Sequence, residues 1–137
     1  MKEAMFYERM SGNDVRCSLC SHRCKIHEGK RGVCGVRENR GGTLYSLVYG
    51  HIIAEHIDPI EKKPLFHFLP GSTAFSIGTV GCNFRCNFCQ NFDISQYPHG
   101  HDGEIVGHDR TPEQVVSLAE SAGCETIAYT YTEPTIF

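Results

Sequence analysis

Apolar residues in the second half of the chain follow two different periods, and together they predict a strand–helix–strand unit. Residues 74–78 form a short run of apolar and small residues that is typical of a buried strand. Apolar residues recur at helical spacing between 115 and 122, which predicts an amphipathic helix. Residues 125–131 again favour a strand. Because a strand, a loop, a helix and a second strand follow in order, we expect a βαβ unit with parallel pairing.

The helix of this unit has start and stop signals in the sequence. Thr111 is a favourable N-cap, Pro112 stands at the first helical position, and Gln114 occupies the capping-box position. Gly123 is suited to the residue that follows the last turn, since it adopts a left-handed backbone at little cost. These signals predict a helix that begins after Thr111 and ends before Gly123.

The first half of the chain predicts a small β structure. Residues 43–49 are rich in β-forming side chains, Gly50-His51 favours a turn, and residues 52–54 are apolar, so we expect an antiparallel hairpin there. Residues 57–65 contain two prolines, which excludes a central strand and indicates an ordered connector.

Length, charge and cysteine content limit the class of protein. The 137 residues suffice for about one domain or one and a half, which we divide into an N-terminal cysteine-rich module at 1–72 and the βαβ portion at 73–137. The formal net charge is −3 with no basic run, so we expect no nucleic-acid partner. No apolar stretch is long enough for a membrane span or a signal peptide. Eight cysteines without an export signal favour metal binding in the cytoplasm over disulfides.

Three of the cysteines stand close together directly after the first predicted strand of the βαβ unit. Cys82, Cys86 and Cys89 have the spacing C-x3-C-x2-C, and no fourth cysteine or histidine follows within the next nine residues. A closed zinc site and an ordinary [4Fe–4S] cluster each need four ligands. Three thiolates therefore suit a cluster with one open iron, and a partial zinc site or a disulfide is the alternative.

Four further cysteines lie near the N-terminus. Cys17, Cys20, Cys24 and Cys34 have the spacing C-x2-C-x3-C-x9-C, and the first pair resembles a zinc knuckle. The four thiols satisfy either a tetrahedral zinc site or a second iron–sulfur cluster, and composition does not decide between them. His22 lies between two of the cysteines and is an alternative ligand, although a solvated loop histidine is the other interpretation.

The spacing around Cys82 and the aromatic Phe88 before the third cysteine resemble the cluster motif of radical S-adenosylmethionine (SAM) enzymes. The resemblance implies that Cys82, Cys86 and Cys89 ligate a [4Fe–4S] cluster whose open iron binds SAM, with Phe88 near the adenine. It implies reductive cleavage of SAM to methionine and a 5′-deoxyadenosyl radical, with electrons from a donor such as a flavodoxin or ferredoxin. The implied fold is α/β, the start of a partial (β/α) barrel with the cluster at the C-terminal ends of the strands.

The second predicted strand ends in a segment with a counterpart in the same family. Many radical SAM enzymes have Gly-Gly-Glu-Pro here, and Tyr131-Thr132-Glu133-Pro134 occupies the corresponding position. The resemblance implies that Tyr131, Thr132 and Glu133 contact SAM and that Glu133 accepts a hydrogen bond from its amino group. Tyr131 and Thr132 replace the two glycines. The alternative role for Glu133 is a carboxylate at a helix start.

A narrower resemblance covers almost the whole chain. Residues 17–24, 28–32, 34–39, 58–65 and 130–137 are similar to the pyruvate formate-lyase activating enzyme-like group, and most of all to the radical SAM member of the AmmeMemoRadiSam system. The group name implies that a protein partner is activated by a radical. No protein side chain is assigned a catalytic role.

The length is short for this fold. A complete β/α barrel takes about 250 residues, so we expect the chain to be the amino-terminal portion of a longer enzyme or a truncated gene product. The rival hypothesis is a zinc-binding interaction module without catalysis, built by the four N-terminal cysteines.

Overall fold

The computed structural model describes residues 1–137, in which short strands outnumber helices. The strands are β1 (Lys2–Glu3), β2 (Tyr7–Arg9), β3 (Val15–Cys17), β4 (Lys25–Ile26), β5 (Arg37–Arg40), β6 (Thr43–Ser46), β7 (His51–Ile52), β8 (Ala54–Pro59), β9 (Thr73–Gly78), β10 (His108–Asp109) and β11 (Thr126–Tyr129). The helices are α1 (Phe92–Ser95), α2 (Tyr97–Gly100) and α3 (Pro112–Ser121). None of the helices is both long enough and apolar enough to cross a bilayer.

The predicted βαβ unit is confirmed. Strand β9 is the middle strand of a three-stranded sheet and pairs in parallel with β11, while β8 lies antiparallel on its other side. Helix α3 connects β9 to β11 and packs its buried residues on the sheet. The core between them consists of Ile52, Phe75, Ile77, Val115 and Ala119. Both strands therefore end at the same edge of the sheet, which is where the cysteine loop and the Glu133 segment begin.

The predicted ends of α3 are also confirmed. The Thr111 hydroxyl accepts a hydrogen bond from the Gln114 amide at 3.2 Å, and the Gln114 side chain accepts one from the Thr111 amide at 2.9 Å. Ala122 is the C-cap and Gly123 follows with a φ of 68°. Both signals are local in sequence, so the rest of the fold does not override them.

The predicted hairpin between residues 43–49 and 52–54 is wrong. Strand β6 pairs instead with β5, and β7 pairs with the distant β10. The turn between β5 and β6 is Gly41-Gly42, with φ values of 60° and 80°. Two consecutive residues with positive φ match the twist of a tight hairpin, which Gly50-His51 does not offer. Polar residues 37–40 are therefore a strand with alternating burial rather than a turn.

The connector predicted across residues 57–65 is partly wrong. Residues up to Pro59 belong to β8, which pairs with β9 over its whole length. As expected for a strand that contains proline, β8 lies at the edge of its sheet and not at its centre. A 3-10 turn, Ile60–Lys62, follows at once and ends the strand.

The N-terminal residues form two small sheets with their own core. One sheet has the order β1-β6-β5 and the other β2-β3-β4. The residues buried between them are Ala4, Val15, Cys17, Ile26 and Leu44. A separate cluster joins this region to the βαβ unit and consists of Cys34, Val36, Val48, Val80 and Ile136. The division at residues 72 and 73 stays a prediction, since a shared core lies across it.

One close approach between the two regions is at Gly81. Its φ is 91°, and a Cβ atom there would lie 2.8 Å from the Cys34 carbonyl oxygen and would overlap Val36. Only glycine fits both the backbone conformation and the space. The residue that precedes the Cys82 loop is thus packed directly on the N-terminal cysteine region.

Candidate functional site

The cysteine loop begins where β9 ends, with Thr79, Val80 and Gly81 all buried. Cys82 is 9% exposed, Cys89 is half-buried and Cys86 is exposed. The loop therefore has one thiol anchored in the protein and another that points to solvent. The strand end fixes the first ligand, and the following residues have no regular structure until α1 begins at Phe92.

Cys82 lies beside the Glu133 segment. Burial raises the pKa of the Cys82 thiol, and backbone N–H groups of Phe84 and Glu133 partly offset this effect, while the Glu133 carboxylate and Cys89 add to it. The Phe84 amide donates to the Cys82 sulfur at 3.4 Å. The pKa of Cys82 thus responds to the Glu133 segment, as expected for loops that follow adjacent parallel strands.

The remaining two thiols have different neighbours. The Cys89 sulfur lies 3.5 Å from the Ser95 hydroxyl in α1, and the Cys89 amide donates to the Cys86 carbonyl at 3.3 Å. Cys86 lines an open cavity together with Arg85, Phe92 and other residues of α1 and α2. As they stand, no three Cys, His, Asp or Glu side chains of the protein converge closely enough to hold a metal ion. Closure of the loop around a cluster would have to turn Cys86 inward.

The donor set nevertheless fits a three-thiolate cluster. All three thiols belong to one loop of eight residues, and hydrogen-bond donors already reach the buried one. Phe88 is 88% exposed and packs on nothing, so its contact with an adenine stays a prediction. An exposed ring of this kind is available to a ligand that binds over the loop.

The Tyr131–Glu133 segment is held by three separate parts of the chain. Tyr131 has a φ of 69°, in the left-handed region where glycine is usual. Its carbonyl accepts a hydrogen bond from Asn91 Nδ2 at 2.7 Å, and its hydroxyl donates to Asp58 Oδ2 at 2.9 Å. The Thr132 hydroxyl donates to the Thr79 carbonyl at 3.0 Å. Tyr131 thus adopts a backbone conformation that the family's glycine would adopt more easily, and its side chain contacts secure it.

The position of Glu133 is compatible with both roles considered from the sequence, a carboxylate at a helix start and a contact with SAM. Its carboxylate accepts the Thr135 amide at 3.2 Å and so caps the 3-10 turn Pro134–Ile136. It also lines a cleft of about 370 Å³ between the cysteine loop and the N-terminal region. The other residues of that cleft include Cys20, His22, Asn83 and Phe84. The helix-start role is present in the structure, and the SAM-contacting role stays a prediction.

Asp58 is a site residue that the sequence reasoning missed. It is 5% exposed and accepts hydrogen bonds from Lys62 at 2.6 Å and Lys63 at 2.8 Å, besides the one from Tyr131. Burial alone would raise the pKa of its carboxyl, but the two ammonium groups hold that pKa far below its usual range. Burial and the Asp58 carboxylate raise the pKa of Tyr131 to about 12. The signal in the sequence was an aspartate followed at four and five residues by lysines.

The four N-terminal cysteines line one small cavity. Cys17 ends β3, Cys24 precedes β4, and Cys34 lies in the turn before β5, so three structural elements bring the thiols together. Cys17 and Cys34 are buried. Burial raises the pKa of the Cys34 thiol, and backbone N–H groups of Val36 and Arg37 oppose this effect. His22 is exposed, with Nδ1 at 3.6 Å from the Cys20 sulfur.

A comparison with protein families bears on the class of this site. Residues 76–137 match the radical SAM superfamily model. This radical SAM segment begins within β9 and includes the Cys82 loop, α3, β11 and the Glu133 segment. The match supports an enzyme with SAM-dependent radical chemistry, which implies a [4Fe–4S] cluster, SAM and a reductant. It does not extend to the narrower activating-enzyme group.

Two curated proteins of Methanocaldococcus jannaschii are similar to the chain. Uncharacterized protein MJ0808 is 51% identical over all 137 residues, which make up 40% of that protein. Uncharacterized protein MJ0674 is 37% identical over 81 residues, 58% of this chain and 19% of that protein. The chain thus spans two fifths of the length of the first relative. No solved structure matches it.

Proposed function

We propose that this chain is the cluster-binding and SAM-binding portion of a radical SAM enzyme. Cys82, Cys86 and Cys89 hold a [4Fe–4S] cluster in this proposal, and Glu133 accepts a hydrogen bond from the SAM amino group. The observation that carries it is that the Cys82 loop and the Glu133 segment follow the C-terminal ends of two adjacent parallel strands, within the segment that matches the family.

The chemistry supplied by the bound groups is reductive cleavage of SAM to methionine and a 5′-deoxyadenosyl radical. The chain's own residues bind and orient these groups. Gly81 fixes the start of the loop, and the Phe84 and Glu133 amides direct N–H groups at the Cys82 sulfur, where they stabilise a thiolate. Asp58 and Asn91 hold Tyr131, which in turn sets the direction in which the chain enters Glu133.

Further parts of the proposal rest on resemblance alone. The electron donor is a reduced flavodoxin or ferredoxin, and the acceptor of the radical is a protein partner, as in the pyruvate formate-lyase activating enzyme-like group. Phe88 contacts the adenine and Thr132 lies beside the methionine part of SAM. The remainder of a barrel, from residues beyond this chain in the longer relatives, completes the substrate site.

The test is the release of 5′-deoxyadenosine, measured by chromatography, from anaerobically reconstituted and chemically reduced protein. We expect slow production by the wild type. Glu133→Gln should lower it on the order of tenfold, because a hydrogen bond to a charged group is worth about 1.5–3 kcal/mol. Glu120→Gln on the exposed face of α3 is the matched control and should leave production unchanged.

Iron, acid-labile sulfide and zinc are measured in the same samples. About four irons in the Cys82 loop and a product that depends on SAM would support the proposal. An intact cluster without any product would contradict catalysis. A sample that takes up zinc alone would favour the interaction-module hypothesis instead.

A further inference from the structure

The four N-terminal thiols share a very small cavity. Its volume is about 10 Å³, and it is lined by all four cysteines together with mostly apolar side chains. A cavity of this size has room for roughly one atom of the size of a water molecule. A cube of four irons and four sulfides is several times larger than this. The cavity therefore leaves room for a single ion and not for a cluster. Because no three of these thiols converge closely enough to hold an ion as they stand, their side chains would have to turn inward around it.

Arg37 supplies an independent sign that a negative group belongs in this cavity. It lines the same cavity and is only 6% exposed. Its Nε has no hydrogen-bond partner, and Nη1 makes one long bond, of 3.4 Å, to the Met5 carbonyl. No carboxylate pairs with it. A buried guanidinium without a counter-ion is costly, so a fold that keeps one has an anionic partner for it.

A four-thiolate zinc site would be that partner. Four thiolates and one divalent ion carry a net double negative charge, which a neighbouring guanidinium partly neutralises. Arg37 and the four cysteines line the same cavity, so the guanidinium lies beside the proposed ligand set. Groups next to the ligands are the usual outer support of a metal site.

We propose that Cys17, Cys20, Cys24 and Cys34 hold one zinc ion in a closed tetrahedral site, with Arg37 as the charge-balancing residue. The site is separate from the Cys82 loop and does not depend on the radical SAM function proposed above. His22 stays outside the ligand set and exposed. The ion ties the end of β3, the start of β4 and the turn before β5 to one point.

The test uses the full chain with Cys82, Cys86 and Cys89 all replaced by serine, so that only the N-terminal set and Cys124 remain. After removal of metal under reducing conditions, this variant is titrated with Co²⁺, which reports thiolate ligation through its visible absorption. We expect one Co²⁺ per chain with the spectrum of a tetrahedral four-thiolate site, displaced by one equivalent of Zn²⁺. Cys24→Ser should abolish that spectrum, and Cys124→Ser should not change it.

Arg37→Gln is the test of the charge argument. It should weaken retention of the ion on the order of tenfold in competition with a chelator, as outer partners of metal ligands do. Arg40→Gln is the control, because Arg40 is exposed and pairs with Glu38. An equal affinity in the Arg37 and Arg40 variants would overturn the role given to Arg37.

Two results would overturn the zinc assignment itself. One is that the variant without the three loop cysteines remains folded by circular dichroism yet binds no Co²⁺. The other is reconstitution of the same variant with iron and sulfide to about four irons per chain, which would make the site a cluster. Should a variant prove insoluble, the zinc content of the wild-type chain as purified decides: about one zinc per chain supports the site, and none contradicts it.

Discussion

The two cysteine regions of this chain are built in opposite ways. The N-terminal thiols come from three elements around one small cavity, with Cys17 and Cys34 buried and Cys20 and Cys24 half-buried. The thiols of the Cys82 loop come from one irregular segment, and Cys86 and Phe88 are exposed. Structural metal sites are closed by the protein, whereas catalytic sites keep a position open. The difference teaches that similar cysteine spacings can lie in a packed region in one place and in an accessible loop in the other.

The largest effect is expected when one thiol is removed from each region in turn. Cys82→Ala should abolish the visible absorbance of the reconstituted cluster, because it removes the one loop thiol that the fold already holds in place. Cys24→Ala, in the other region, should leave that absorbance while it removes the N-terminal metal. Absorbance spectra of both variants after anaerobic reconstitution check this. Full cluster absorbance in Cys82→Ala would show that the loop is not the cluster site.

Gly81 connects the two regions, so its replacement should damage both. In Gly81→Ala the new Cβ would meet Val36 and the Cys34 carbonyl, and the φ of 91° would be strained. We expect a loss of about 3 kcal/mol in the free energy of unfolding, from overpacking and backbone strain together. Urea denaturation measures it. Gly100→Ala is the control, since a Cβ there meets no atom within 4 Å, and it should change stability by less than about 0.5 kcal/mol.

Replacement of Asp58 tests how residues outside the Cys82 loop support the open site. Asp58→Asn should cost about 2 kcal/mol, because it leaves the nearly buried Lys63 without its counter-ion, while the exposed Lys62 loses little. The folded-state pKa of Asp58 is lowered, so its contribution is complete above the ordinary value of 3.8 and is lost as the pH falls below it. Unfolding curves at pH 6 and pH 3 should therefore differ less in the variant than in the wild type. An equal difference would contradict this role.

Tyr131→Phe should have the smallest effect of the series. It removes only the hydroxyl that donates to Asp58, and the ring and the backbone bond to Asn91 remain. We expect a loss of about 1 kcal/mol, typical of one hydrogen bond. Because Tyr131 lies two residues before Glu133, a shift in the apparent affinity for SAM would show that the contact with Asp58 also affects the open site. Tyr45→Phe is a control in the N-terminal sheet, where no side-chain hydrogen bond depends on that hydroxyl.

The sequence predicted what is encoded locally. The start of α3 was readable from Thr111, Pro112 and Gln114, and parallel pairing of β9 with β11 followed from the order of elements. The hairpin was misplaced because pairing of β7 with β10 joins residues far apart in the chain, which no local pattern reveals. Cysteine spacing indicated the two thiol sets. It could not show that Arg37 borders one of them or that Asp58 supports the other, since both relations depend on tertiary contacts.

The contact at Gly81 also implies an order of assembly. The surface on which Gly81 packs is made by Cys34 and Val36, and the turn that carries them is completed by pairing among the first 46 residues. The Cys82 loop has no comparable surface of its own and rests on one made earlier in the chain. During synthesis the N-terminal thiols are therefore available to close around the proposed ion before the loop exists. If both proposals hold, the N-terminal site forms first and the cluster enters a loop whose first ligand is already held by the fold.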